Sequence, residues 1–97
     1  MSVTMITQLH AAPEKGDELA ELLGAGRDRM RAADGCESFE LLRNETDSRS
    51  FVFVQRWVSH QAHDAAFAEQ IIQSGHLEKV LAAIDEAIVQ PSYQVLP

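Results

Sequence analysis

The chain has 97 residues, with 15 acidic against 8 basic side chains for a formal net charge of -7, and it is 45% hydrophobic and 24% charged. That length allows one domain, the composition excludes a disordered tail, and the acidic balance disfavours a nucleic-acid partner, which needs clustered Lys and Arg. No run approaches the roughly 18 apolar residues of a membrane span, Met1 to His10 lacks the flanks of a signal peptide, and Cys36, the single cysteine, has no partner for an internal disulfide, which fits a reducing cytoplasm.

In Val3 to Ala11, Val3, Met5, Thr7 and Leu9 alternate with Thr4, Ile6, Gln8 and His10, and β-branched residues are frequent, which predicts a strand. Pro13 and Gly16 close it. Pro-Glu-Lys-Gly-Asp then opens a helix, with acidic groups at its positive end and Leu19, Leu22, Leu23, Gly26, Met30 and Ala33 on one stripe. Gly24 and Gly26 each cost that helix roughly 1 kcal/mol relative to Ala, which suggests close packing against the sheet. Asp34-Gly35 stops the helix, with Gly35 as a left-handed cap.

Cys36 to Thr46 and Ser50 to Val58 are two extended runs around Asp47-Ser48-Arg49, a β-hairpin. In the second arm Phe51, Phe53, Gln55 and Trp57 point one way, and Val52, Val54, Arg56 and Val58 the other. Ser59 is the expected N-cap of a helix running to about Ile72, with Ala62, Ala66 and Phe67 on its apolar stripe. Gly75 interrupts, and a further helix is expected from His76 to Ala87, with Leu77, Val80, Leu81, Ile84 and Ile88 on one face. Pro91 leads into a last extended run in which Tyr93 and Val95 alternate with Ser92, Gln94 and Leu96.

The order is β-α-β-β-α-β with the second helix split, the ferredoxin-like α+β pattern, expected as a single domain over 1–97. One face of such a sheet lies under the helices, and the other is polar if it meets water. Ser50 to Val58 is apolar on both faces, and the chain has too few helices to cover both. A second copy of the chain supplies the cover, so a homodimer with sheet packed on sheet is expected.

At the hairpin, Asp34-Gly35-Cys36-Glu37-Ser38-Phe39-Glu40-Leu41 followed by Phe51-Val52-Phe53-Val54-Gln55-Arg56-Trp57 resembles the antibiotic biosynthesis monooxygenase family, whose members carry a Gly-Cys-x-x-Tyr/Phe strand start and an aliphatic run ending in Glu-x-Trp. Pro13 to Leu19 is similar to the family's Pro-Gly-Lys helix start, and Ser74-Gly75-His76-Leu77 to its Ser-Pro-His-Phe element. The resemblance implies a dimeric α+β barrel with a pocket between sheet and helices in each subunit. It implies O2 activation without metal or flavin, the deprotonated substrate supplying the electrons. The family also contains haem-degrading enzymes and an isomerase. Three positions depart from it. Gln55 stands where the family has Glu, so no carboxylate base is there. Ala66 stands where a His is common and where haem-degrading members have Trp, which argues against haem. Phe53 stands where one polyketide-tailoring type has Asn.

Trp57 is a candidate pocket wall, its indole N–H a donor and its ring a stacking surface; the alternative is a core Trp. His63 and His76 are the candidate proton-transfer residues, since imidazole titrates near neutrality. His63 matches by position a Tyr of polyketide-tailoring members, and His76 matches the family's Ser-x-His element at a helix start, which favours a neutral ring. A solvated helix His and a capping His are the respective alternatives. His10 could face the pocket mouth, and His60 is expected in solvent. No His-x-x-x-His or Cys-x-x-Cys spacing is present, so no metal is expected, and Cys36 reads as a small buried hydrophobe.

With these residues, the resemblance implies a small cofactor-independent monooxygenase, expected in the cytoplasm, with a quinol-like or polyphenolic substrate and molecular oxygen. The ring would lie against Trp57, Phe39 and Phe53, His63 or His76 would assist deprotonation, and Gln55 would hold an oxygen. A dimeric module binding a small hydrophobic molecule without turnover, or an isomerase of the same fold, would use the same pocket.

Overall fold

A computed structural model describes residues 2–97. Met1, the first residue of the 1–97 domain expected from sequence, lies outside the described residues. The elements are β1 (Val3–His10), α1 (Gly16–Arg31), β2 (Cys36–Arg43), β3 (Ser50–Trp57), α2 (His60–Ala66), a π-helical turn (Phe67–Ile72), α3 (His76–Ala82) and β4 (Ser92–Gln94). The strands form one antiparallel sheet in the order β2-β3-β1-β4, the α+β ferredoxin-like arrangement with a split second helix. Among the described residues no helix is long and apolar enough to cross a membrane.

The period-two readings hold on β1 and β3 because those strands have one face under the helices. On β1, Val3, Met5, Thr7 and Leu9 are buried while Gln8 is exposed, and on β3, Phe51, Gln55 and Trp57 are buried while Arg56 is exposed. Ser59 caps α2 as expected, its hydroxyl accepting from the Ala62 N–H at 3.1 Å. Gly35 has φ +88°, and a Cβ there would stand 2.7 Å from the Ala62 Cβ, so only glycine fits where the chain turns from α1 into β2. α1 itself ends earlier, at Arg31.

Three expectations are corrected. The helix after Ser59 changes at Phe67 to π geometry, in which the Gln73 N–H bonds the Ala68 carbonyl at 2.9 Å. The last helix stops at Ala82 rather than Ala87, and Leu81, placed on its buried stripe, is 49% exposed. Residues 83–91 instead pass through a turn at Ala83 and a bend at 85–86 and then follow β1, with isolated bridges Ala11–Ile84 and Gln8–Val89 and a bond from the Ile6 N–H to the Pro91 carbonyl. The close approach attributed to Gly24 and Gly26 is made by Gly26 alone, and against the helical segments: a Cβ there would lie 3.1 Å from His76 Nε2 and 3.6 Å from Ile71 Cδ1.

The core is two clusters under the sheet. One joins Val3, Met5, Met30, Phe39, Trp57 and Ile71; the other joins Leu9, Leu19, Leu23, Phe51, Val80 and Ala83. Phe53 packs against both. Between them the interior is not filled.

Candidate active site

The gap between the clusters is a cavity of about 190 Å³. A cavity of about 150 Å³ admits benzene, so this one has room for a one- or two-ring molecule. Its sheet wall is Thr7 and Leu9 from β1, Phe39 from β2, and Phe53 and Gln55 from β3. Its helix wall includes Gly26 and Met30 of α1, His63 of α2, Phe67 and Ile71 of the π turn, and His76 of α3. Ile88 and Gln90 of the 83–91 strap complete it. The wall is mostly apolar with a few polar groups, the usual makeup of a small-molecule site.

Five of the six residues singled out from sequence meet here: Phe39, Phe53, Gln55, His63 and His76. Phe39 and Phe53 stand edge to face, ring centres 4.9 Å apart. Trp57 does not line the cavity. It shares the inward face of β3, but at the strand's end it passes beyond the cavity and is fully covered, 0% exposed within the first core cluster. It reaches the wall through its N–H, which donates to Gln55 Oε1 at 2.8 Å. Gln55 Nε2 donates to Thr7 Oγ1 at 3.1 Å, and the Thr7 hydroxyl donates to Gln90 Oε1 at 2.7 Å. Gln55 and Thr7 are diagonal neighbours across β3 and β1, since Gln55 opposes Met5 and Phe53 opposes Thr7.

His63 is buried, not solvated, at 5% exposure. Its ring is edge-on to Trp57 at 5.5 Å and stacked on Phe67 at 5.9 Å. Nδ1 lies 2.9 Å from Asp64 Oδ1. A carboxylate only accepts, so Nδ1 carries the hydrogen and Nε2 of the neutral ring keeps its lone pair. Nε2 has no hydrogen-bond partner among the described residues. His76 is the reverse: Nε2 donates to the Leu22 carbonyl at 2.7 Å, an approach that the missing side chain of Gly26 permits. Burial pushes the His76 pKa below its ordinary 6.5, with the nearby Arg29 and Lys79 charges acting in the same direction and the Leu22 bond opposing them. Its ring is held neutral mainly by burial rather than by its place at the start of α3.

His10 does not face the cavity. It is on the outer face of β1, with Nδ1 2.6 Å from Asp85 and Nε2 3.3 Å from Asp47. Asp85 also holds Arg49 at 3.0 Å. Among the described residues, His10, Asp85 and Glu86 bring one ligand atom each within 4.8 Å of one another. Arg49 and His10 already satisfy Asp85, so the group is an ion-pair clasp between the hairpin loop, β1 and the strap. His60 is exposed, as expected.

Thr7, Asp64 and Gln90 were not singled out from sequence. Thr7 had a visible signal, a lone hydroxyl on the otherwise apolar inward face of β1. Asp64 follows His63 directly, but adjacent residues on a helix do not ordinarily face each other. Gln90 is 83 positions from its partner, with no local pattern to betray it.

The family profile described as antibiotic biosynthesis monooxygenase matches residues 2–76. None of the curated proteins matches the sequence. Among solved structures, Rv0793 from Mycobacterium tuberculosis superposes with TM-score 0.88 at 22% identity, covering 100% of this chain and 97% of that one. PA3566 from Pseudomonas aeruginosa gives 0.86 at 21% identity over 99% and 95%. SnoaB from Streptomyces nogalater, a cofactor-independent oxygenase, gives 0.82 at 17% identity over 97% and 92%. At these identities the likeness shows a shared fold.

Proposed function

The chain belongs to the antibiotic biosynthesis monooxygenase family, and on that premise we propose that it is a small cofactor-independent monooxygenase acting on a quinol-like or polyphenolic ring. The observation that carries this reading is a ring-sized apolar cavity with a buried imidazole whose Nε2 has no partner. His63 Nε2 takes the phenolic proton, and Asp64 on Nδ1 orients the ring and stabilises the imidazolium as it forms, as a carboxylate does behind a catalytic His. Phe39 and Phe53 hold the ring, and Gln55 holds an oxygen. The electron-rich anion then reacts with O2: one oxygen atom replaces a ring hydrogen, the other leaves as water, and the quinol becomes a hydroxyquinone. The substrate supplies all four electrons, so no reductant, metal or flavin enters the balance.

The protein works as a homodimer in this reading, with 1–97 as one domain. The free thiol of Cys36, its pKa pushed up by burial, fits the reducing cytoplasm.

An oxygen electrode tests the reading, with hydroquinone and 1,4-dihydroxynaphthalene as substrates and spontaneous oxidation subtracted. The expected result is one O2 consumed per quinol, insensitive to chelator and lost in His63→Ala. Conversion without O2 would point to an isomerase. Tight binding of rings without any conversion would point to a binding module.

A further inference from the structure

We propose that Trp57 is a positioning residue that fixes the polarity of the Gln55 amide, so that the sheet wall of the cavity donates a hydrogen bond and selects a ring with a carbonyl or phenolate oxygen facing it. The proposal rests on the cavity being the substrate site, and not on the oxidation assigned to it.

An indole N–H can only donate. Trp57 is fully buried, so no water competes for that N–H, and its partner at 2.8 Å has to be the oxygen of the Gln55 amide. A turned amide would set N–H against N–H in a site closed to solvent, which is strongly unfavourable. Gln55 Nε2 is thereby directed to Thr7, whose oxygen accepts and whose hydrogen passes on to Gln90 Oε1. The relay runs one way, from Trp57 through Gln55 and Thr7 to Gln90. Gln55 uses one of its two N–H groups, and the second has no partner among the described residues.

The oxygen of that amide is turned to Trp57, behind the wall, and the nitrogen to Thr7, which is in the wall. A ligand on the sheet side therefore meets a donor. The helix wall has the opposite sense, because His63 Nδ1 is committed to Asp64 and Nε2 accepts. The ligand that satisfies both carries an ionisable O–H toward His63 and an oxygen that only accepts toward Gln55. As charge develops on the ring, a fixed neutral donor at that oxygen stabilises it without reorganisation.

Binding of indan-1-one and indene tests this, since the two share a bicyclic frame and only the ketone has an acceptor. Calorimetry is run on the wild type, Gln55→Leu, Gln55→Glu and Trp57→Phe, and the carbonyl stretch of bound indan-1-one is read by infrared spectroscopy. The wild type should prefer the ketone about tenfold, the equivalent of one hydrogen bond, with the stretch shifted to lower frequency. Both Gln55 variants should lose the preference and the shift. Folded Trp57→Phe, its amide free to turn, should show a reduced preference and a second, unshifted carbonyl band, which loss of packing alone would not produce. Equal binding of the two probes by the wild type, or a preference that survives Gln55→Glu, would overturn the donor wall. A single shifted band in Trp57→Phe would overturn the role of Trp57. If Trp57→Phe does not fold, the two Gln55 variants still decide the polarity. Failure of both probes to bind would overturn the proposal together with the cavity as a ligand site. Ketone preference in a protein that consumes no O2 with any quinol would leave this inference standing and remove the oxygenase.

Discussion

The His63 ring, between Trp57 and Phe67, has little freedom to turn, and Asp64 fixes which nitrogen carries the hydrogen. If His63 is the base of the proposed reaction, a ring held in this way is ready without reorganisation, so its removal should act on turnover and not on affinity. His63→Ala should lower kcat about a hundredfold or more. Asp64 is exposed, and water can replace part of its bond, so Asp64→Asn should cost less, on the order of tenfold. Single-turnover kinetics beside equilibrium binding checks both. A fall confined to affinity would place His63 among the binding residues. Sequence made His63 a candidate because it is an imidazole on the helix that follows Trp57 and matches by position a Tyr of polyketide-tailoring members. Burial and the free Nε2 depend on how α2 meets the sheet, and no local pattern encodes that.

Among the elements, α1 offers a direct contrast between its two interior glycines. A Cβ at Gly24 would meet only the end of the Arg27 side chain, at 3.7 Å, whereas one at Gly26 would press on His76 Nε2 at 3.1 Å. Gly24→Ala should therefore stabilise by about 0.5–1 kcal/mol, a rise in Tm of about 2–8 °C. Gly26→Ala should show no such gain, because the same propensity is offset by displacing His76 from the Leu22 carbonyl. Thermal melts of the two variants decide it, and equal rises would mean that the imidazole yields freely. The strap after α3 carries apolar residues at a helical spacing although it is not a helix. Ile84 and Ile88 are four apart, one helical turn, and both pack against the second core cluster, so the helical spacing of the apolar residues persists without the helix. Long-range backbone bonds to Gln8 and His10 of β1 decide against the helix. The strap is held at its start by the clasp, where the Asp85 hydrogen bond raises the His10 pKa above 6.5 against desolvation, and the Asp85, Glu86 and Asp47 charges add to the rise. A raised imidazole pKa contributes stability that is complete below the unfolded value near 6.5 and lost as pH rises through the folded value. The His10 bond in turn holds Asp85 below the usual carboxylate range, so that part is lost only in acid. His76 has the opposite sign to His10, since its lowered pKa makes the fold lose stability as pH falls below about 6.5. Urea unfolding from pH 5.5 to 8.5 should show a decline on the alkaline side that His10→Gln removes. An unchanged profile in that variant would mean the clasp makes no net contribution.

For the whole molecule, the face of the sheet away from the cavity remains to be accounted for. Ile6 lies opposite Val54, Gln8 opposite Val52, and Val52 opposite Leu42, while Tyr93 of β4 lies opposite Thr4. Leu42 is 49% and Tyr93 52% exposed, and the Thr4 hydroxyl is covered without a hydrogen-bond partner. A sheet face that meets water is ordinarily polar, and this one carries a band of apolar side chains across all four strands. The alternation in Ser50 to Val58 made that band visible in the sequence, because both of its faces were apolar. A second copy related by a two-fold axis would cover like with like, Val54 and Ile6 near the centre and Leu42 and Tyr93 toward the edges. Light scattering at micromolar concentration should return twice the chain mass. Val54→Glu would put a charge beside Glu40 in the middle of the band, and should yield a monomer with the same circular dichroism and an intact cavity, because Val54 points away from Gln55. A wild-type chain that is monomeric at those concentrations would rule out the self-associated form. A folded Val54→Glu variant that remains dimeric would mean the two copies meet through another surface.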